Sequence, residues 1–261
     1  MKDYIPLPLP FTPGWDASGV VEAVGSGVTK FKKGDEVYAR PDVAHNGNGG
    51  YAEYVVVKET ETALKPKSVD HVHAAAIPVG AVTAWRALFD TAGLEQDQKI
   101  LIHGAAGGVG SFAVQLAKWK GTHVIGTASS RNQLFLRELG VDEPIDYQKT
   151  RFEDVLHDVD VVLDTIGGET QKRSWRVLRK GGILVSIVEP PSADEAAKQG
   201  VRSAFLSAQG GASLLAELAK LVDSGKVKPI VQKVLPLSEV RQAHELNETG
   251  HARGKIVLKV A

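Results

Sequence analysis

Lys99-Ile100-Leu101-Ile102-His103-Gly104-Ala105-Ala106-Gly107-Gly108-Val109-Gly110 passes from an apolar run into a glycine-rich turn, and residues 109–120 behind it carry a helical pattern. An apolar strand, a glycine loop and a helix in that order form the opening of a dinucleotide-binding unit. A bound diphosphate needs backbone close to it, N–H groups aimed at it and the positive end of a helix dipole. Gly107 and Gly108 allow that approach, while Gly110 lets the helix pack closely on the strand. The backbone of Ala106, Gly107, Gly108 and Val109 is therefore the expected cradle. The usual Gly-x-Gly-x-x-Gly spacing reads here as Ala105-x-Gly107-x-x-Gly110, so its first glycine is an alanine. A glycine turn without a ligand has the same letters; the flanking strand and helix favour the ligand.

The residues that follow repeat the alternation. Residues 123–127 read as a second apolar strand, and 132–139 as a helix stopped by Gly140. Residues 159–163 and 183–187 are two more apolar strands, with a helix near 170–178 between them. Short, wholly apolar strands alternating with helices predict a parallel, doubly wound α/β sheet. The end of the second strand bears on the ligand. An NAD site commonly places Asp or Glu there, against the ribose 2′-hydroxyl. The sequence instead reads Thr127-Ala128-Ser129-Ser130-Arg131. Two hydroxyls and a guanidinium suit a dianionic 2′-phosphate, so the expected cofactor is NADP(H). Ser130 also reads as a helix N-cap with Arg131 solvated, and both roles are compatible.

Toward the amino terminus the chain is β-rich. Residues 20–24, 36–39 and 51–57 read as strands separated by glycine turns, which suggests a small barrel or open sheet. Residues 73–77 and 80–91 have helical spacing, with Ala81, Ala84, Trp85 and Leu88 on one face. Past Glu189 the pattern loosens to helices at 213–222 and 238–247 and a strand at 255–259. The run Ser203-Ala204-Phe205-Leu206-Ser207-Ala208 is apolar and follows the last parallel strand. As an exposed edge it predicts a homodimer; the alternative is an internal edge covered by the loop at Pro190-Pro191.

Composition narrows the classes. The chain has 261 residues, 43% hydrophobic and 24% charged, with 31 basic and 31 acidic residues in balance. That length fits one large or two unequal domains. Neutral balance gives no global field for nucleic acid or a membrane surface. With no cysteine, disulfides, thiol nucleophiles, iron–sulfur clusters and cysteine-bound zinc are excluded, and a reducing compartment is expected. The first residues hold no apolar stretch suited to a signal peptide or membrane span, so the default expectation is cytoplasmic.

These features, with Asp164-Thr165-Ile166-Gly167-Gly168 and Gly181-Gly182-Ile183-Leu184-Val185, resemble the quinone oxidoreductase branch of the medium-chain dehydrogenase/reductase superfamily. Further matches are Pro13-Gly14-Trp15-Asp16-Ala17-Ser18-Gly19-Val20-Val21, Gly25-Ser26-Gly27-Val28 and Gly34-Asp35-Glu36-Val37. The resemblance implies a Rossmann doubly wound sheet at 76–230 and a partial GroES-like β-rich domain at 1–75, completed by 231–261, with the active site in the cleft. Zinc-dependent relatives carry Gly-His-Glu where this chain has Gly14-Trp15-Asp16, so the metal-free branch is expected. His45, His71 and His73 read as ordinary surface or core histidines. By the same resemblance Thr83 lies beside the nicotinamide ribose and ring, and Tyr147 near the adenosine 2′-phosphate. Ile166, Gly167, Ile187 and Val188 would wall the nicotinamide.

The resemblance further implies strands ahead of this start, with an asparagine that borders the nicotinamide. The sequence begins after that point. The expectation is a fragment or short form, with cofactor binding retained and turnover in question. The leading function is NADPH-dependent, metal-free hydride transfer to a small electrophilic acceptor, a quinone or an activated enone or enoyl alkene. The alternative is an NADP(H)-binding module or scaffold without turnover. No general acid is assigned: Asp16, Tyr38 and Tyr51 belong to the substrate domain, and each reads first as structural.

Overall fold

The computed structural model describes residues 9–206 and 211–260. In chain order the strands are β1 Ala17–Val20, β2 Glu36–Ala39, β3 Thr62–Leu64, β4 Lys99–Ile102, β5 His123–Ala128, β6 Glu143–Asp146, β7 Val159–Asp164, β8 Leu178–Ser186, β9 Arg202–Phe205, β10 Val231–Pro236 and β11 Lys255–Lys259. The α-helices are α1 Val43–Asn46, α2 His71–Ala75, α3 Pro78–Trp85, α4 Gly110–Lys120, α5 Gln133–Leu139, α6 Gly168–Ser174, α7 Ala193–Gln199, α8 Ala212–Asp223 and α9 Val240–Glu248. Two compact units emerge: residues 1–82 with 209–261, and residues 83–208.

In the second unit, β4 to β9 form one parallel sheet in the order β6-β5-β4-β7-β8-β9. This is a doubly wound Rossmann order, and it reverses direction between β4 and β7. Ile100, Leu101 and Ile102 on β4 and Val161 to Asp164 on β7 are all buried, because helices cover both sheet faces. Leu101, Ile125, Val162 and Leu184 pack with Phe152 and Trp175 in the core of this sheet. α5 ends where Gly140 adopts φ 100° and its N–H closes on Arg137 and Leu136 carbonyls, as its sequence position predicts. The helical stretch expected at 80–91 begins earlier, at Pro78, and changes after Trp85 into a π-helical segment, Arg86–Thr91.

In the first unit, β1, β2 and β3 form an antiparallel sheet, and β10 pairs with β11 in parallel. Three sequence expectations differ from the structure here. The first strand runs over Ala17–Val20 rather than 20–24: Val21 still bonds Asp35 O and Gly34 N, and among the described residues no backbone bond carries the pairing on over 22–24. Residues 51–57 are not a strand: beyond Tyr51 N, which donates to Pro13 O, no backbone bond joins them to another described residue, and Tyr54 and Val56 are exposed. Aromatic and β-branched residues favour extended backbone, but a sheet needs a partner edge. Residues 211–230 also pack with this unit, where the sequence reading put the boundary at 230/231. The reason is α8: Leu215 O accepts a 2.5 Å bond from the buried Tyr38 hydroxyl, and Asp223 Oδ1 accepts from Ser68 N. At the other end, Lys255 Nζ lies 2.8 Å from Asp16 Oδ2, tying β11 to the start of β1.

Candidate functional site

Loops leave the carboxyl ends of β4, β5, β6, β7 and β8 on one edge of the parallel sheet. The expected cofactor residues, Thr83 apart, all lie in them. Ala106 to Val109 follow β4, Ser129 to Arg131 follow β5, Tyr147 follows β6, Ile166 and Gly167 follow β7, and Ile187 and Val188 follow β8. Thr83 belongs to α3 and is buried. Hydrogen bonds stitch the loops together: Ala105 N donates to Thr127 O, Thr165 Oγ1 to His103 O, Tyr147 N to Ala128 O and Ile187 N to Asp164 O.

The glycine loop closes on its own helix. Gly107 N donates to Gly104 O and Ser111 N donates to Gly107 O, both at 2.9 Å. A Cβ on Gly110 would lie 2.2 Å from Gly104 O, so the helix start and strand end approach more closely than any side chain allows. Among the described residues, no protein acceptor meets the backbone N–H groups of Gly108 and Val109. Two such donors at the start of an eleven-residue helix are what an anionic diphosphate requires, so the loop fits a dinucleotide. Ser129 is buried, Ser130 and Arg131 are exposed, and Tyr147 is 53% exposed, leaving its ring open to a ligand.

Three buried or half-buried polar groups, none assigned a role from the sequence, hold this edge in shape. His103 is fully buried between Thr127 Oγ1 at 3.1 Å and Ser174 Oγ at 2.9 Å. Ser174 donates to Thr170 O, so its oxygen accepts from His103 Nε2–H, and Nδ1 accepts from Thr127. Burial lowers the His103 pKa to about 4, so the ring is neutral at pH 7. Asp164, also fully buried, accepts from Ile166 N, Gly167 N, Gln171 Nε2 and Ser186 Oγ at 2.8–3.0 Å. One carboxylate thus fixes the loops after β7 and β8 against each other. Asp146, at the end of β6, accepts the Ser130 hydroxyl at 2.5 Å and Gln148 N at 3.1 Å. Those bonds, Ser130 first, hold its carboxyl below the usual aspartate range. The end of β5 carries no acid of its own, but its neighbour delivers one. The signals were present as a carboxylate at the end of each of β6 and β7, yet their partners are distant in sequence.

In the β-rich unit the proton-carrying side chains are engaged. Asp16 accepts from Val79 N and pairs with Lys255. The Tyr38 hydroxyl is bonded to Leu215 O, and burial pushes its phenol well above the usual range. Tyr51 packs edge-on to His244 with ring centroids 5.9 Å apart. His71 bonds Ser18 and Glu36, and Asp70, the N-cap of α2, accepts from His73 N and lies against its ring nitrogen. Among the described residues no three His, Cys, Asp or Glu side chains converge to hold a metal ion. With Trp15 in the histidine position, the donor set does not fit zinc.

Residues 1–67 match the alcohol dehydrogenase GroES-like domain, and 139–258 match a family described as zinc-binding dehydrogenase. The NAD(P)H oxidoreductase RTN4IP1, mitochondrial, of Mus musculus is 38% identical, over 96% of this chain and 71% of that protein. The chain belongs to the medium-chain dehydrogenase/reductase superfamily, in its quinone oxidoreductase-like branch. It is an oxidoreductase of that family. The NADPH-dependent alkenal/one oxidoreductase, chloroplastic, of Arabidopsis thaliana is 40% identical over 96% of this chain and 64% of its own length. The solved quinone oxidoreductase from Coxiella burnetii superposes with a TM-score of 0.90 at 37% identity, covering 97% of this chain and 80% of that one. Among the described residues, no helix of this superfamily member is long and apolar enough to cross a membrane.

Proposed function

We propose that the chain is an NADPH-dependent oxidoreductase that reduces a quinone or an activated carbon–carbon double bond without a metal. The observation that carries this reading is the pair of unmet N–H groups at Gly108 and Val109, at the switch point of a Rossmann sheet whose β5 ends in Ser129-Ser130-Arg131. The relatives named as NAD(P)H, alkenal/one and quinone oxidoreductases support it. When bound, the cofactor supplies hydride to an acceptor that is already electrophilic. The glycine loop and α4 amino terminus hold the diphosphate; Ser129, Ser130, Arg131 and Tyr147 hold the 2′-phosphate. Thr83, Ile166, Gly167, Ile187 and Val188 border the nicotinamide. Asp164 holds Ile166 N, Gly167 N and Ile187 N directly and Val188 through Ser186 Oγ, so the chain's contribution to rate is positioning.

The test is incubation with NADPH and 9,10-phenanthrenequinone, and in parallel with an alkenal, following absorbance at 340 nm. Acceptor-dependent loss of NADPH is expected, and the acceptor consumed faster names the substrate class. Saturable NADPH binding with no oxidation of either acceptor would overturn the enzyme reading in favour of a binding module. We also propose a homodimer through β9, whose outer edge has no strand partner among the described residues and whose Phe205 is exposed; Ser207 and Ala208 of the expected edge lie outside the described residues. Light scattering at twice the chain mass would support it, and a monomer at micromolar concentration would overturn it. A cytoplasmic location is proposed on the sequence alone, and two relatives named for organelles stand against it.

A further inference from the structure

The turn after β6 is bound to the loop after β5 through one carboxylate. Asp146 Oδ2 accepts the Ser130 hydroxyl, Asp146 Oδ1 accepts Gln148 N, and Gln148 Oε1 in turn accepts Ser130 N at 3.1 Å. Lys149 Nζ lies 3.7 Å from the same Oδ2. A serine hydroxyl has one proton to donate. In this structure that proton is held by Asp146, yet Ser130 is among the residues read as receiving a 2′-phosphate.

We infer that Asp146 is a specificity-determining residue that tempers the preference for NADPH over NADH, because its carboxylate competes with the 2′-phosphate for the Ser130 hydroxyl. The inference rests on the proposed nucleotide site and adds the sign of one residue's effect within it. Two consequences share that sign. A phosphate that takes the Ser130 proton must displace it from an ionised acceptor, and it then sits near a like charge. A cofactor with a plain 2′-hydroxyl meets neither cost. Lys149 offsets part of the repulsion, and as an exposed ammonium it does so less as salt rises.

The experiment measures dissociation constants of NADPH and NADH by fluorescence of the bound reduced nicotinamide, for the wild type, Asp146→Asn and Asp146→Ser. Asparagine keeps an acceptor for Ser130 and removes the charge; the serine variant serves if asparagine does not fold, and melting curves decide that. The NADPH-to-NADH preference is expected to rise on the order of three- to tenfold in either variant, chiefly through tighter NADPH. Adding Ser130→Ala to Asp146→Asn should return most of that gain. An unchanged or lowered preference, with NADPH still bound by the wild type, would overturn the inference and leave the site reading intact. Failure of the wild type to bind either nucleotide would instead overturn the site reading, and the inference with it.

Discussion

Two alanine substitutions three residues apart in the glycine loop should fail in different ways. At Gly110 an added Cβ would sit 2.2 Å from Gly104 O and 2.8 Å from Ala105 Cα, both backbone. Restoring an ordinary contact of about 3.4 Å requires the helix start and strand end to part by roughly 1 Å. Overpacking of that kind costs about 1–3 kcal/mol, or a fall in melting temperature of roughly 2–12 °C at this size. At Gly107 the added Cβ meets only Gly104 O, at 3.2 Å, which a few tenths of an ångström relieve. Stability should then stay within about 1 kcal/mol of wild type, because alanine also restricts the unfolded chain. NADPH affinity should nonetheless fall about tenfold or more, since the methyl stands where the diphosphate must approach backbone. Thermal melts followed by circular dichroism and NADPH fluorescence titrations measure both quantities. Wild-type NADPH affinity in Gly107→Ala would refute the proposed seat of the diphosphate. Wild-type melting of Gly110→Ala would refute the close-approach argument.

His103 should make the fold acid-sensitive. Its folded pKa, about 4, lies below the unfolded value near 6.5, so the unfolded chain binds the extra proton. The stability it contributes is present above pH 6.5 and is lost as pH falls toward 4, by about 3 kcal/mol. Urea unfolding at several pH values checks this, and His103→Asn should flatten that part of the slope; an equal slope in the variant would contradict it. Asp164→Asn should destabilise by about 2–3 kcal/mol, because the amide NH₂ that replaces one oxygen cannot accept from the two donors it then faces. The same variant should bind NADPH more weakly, and unchanged melting and binding would remove Asp164 as the brace of the β7 and β8 loops.

The Rossmann half was legible because its signals are local. Ile100 to Ile102 must be buried on both faces, and Gly107 to Gly110 announce a close backbone approach without knowledge of any partner. Gly140 ends its helix by its own conformational freedom. The β-rich half was less legible for the opposite reason. Residues 51–57 have every local feature of a strand, but strand status belongs to a pair, and among the described residues the pairing stops at the single bond from Tyr51 N to Pro13 O. α8 looked like part of the nucleotide unit because it follows β9 in sequence; its bond to Tyr38 shows where it packs. In the site, the ligand-facing loop residues could be read from strand ends and glycines. The groups behind them could not. Asp146 and Asp164 act on residues 16 and 22 positions away, and His103 on Ser174, 71 positions away. Such contacts follow from which strands become neighbours, and only the sheet order supplies that.

The central claim is that the loops after β4 and β5 bind a nicotinamide dinucleotide and recognise its 2′-phosphate. Arg131→Ala tests it most directly, with NADPH and NADH titrated side by side by fluorescence. The account predicts that the wild type binds NADPH more tightly, and that Arg131→Ala weakens NADPH at least about tenfold with NADH nearly unchanged. Equal losses for the two cofactors, or no loss for either, would contradict it.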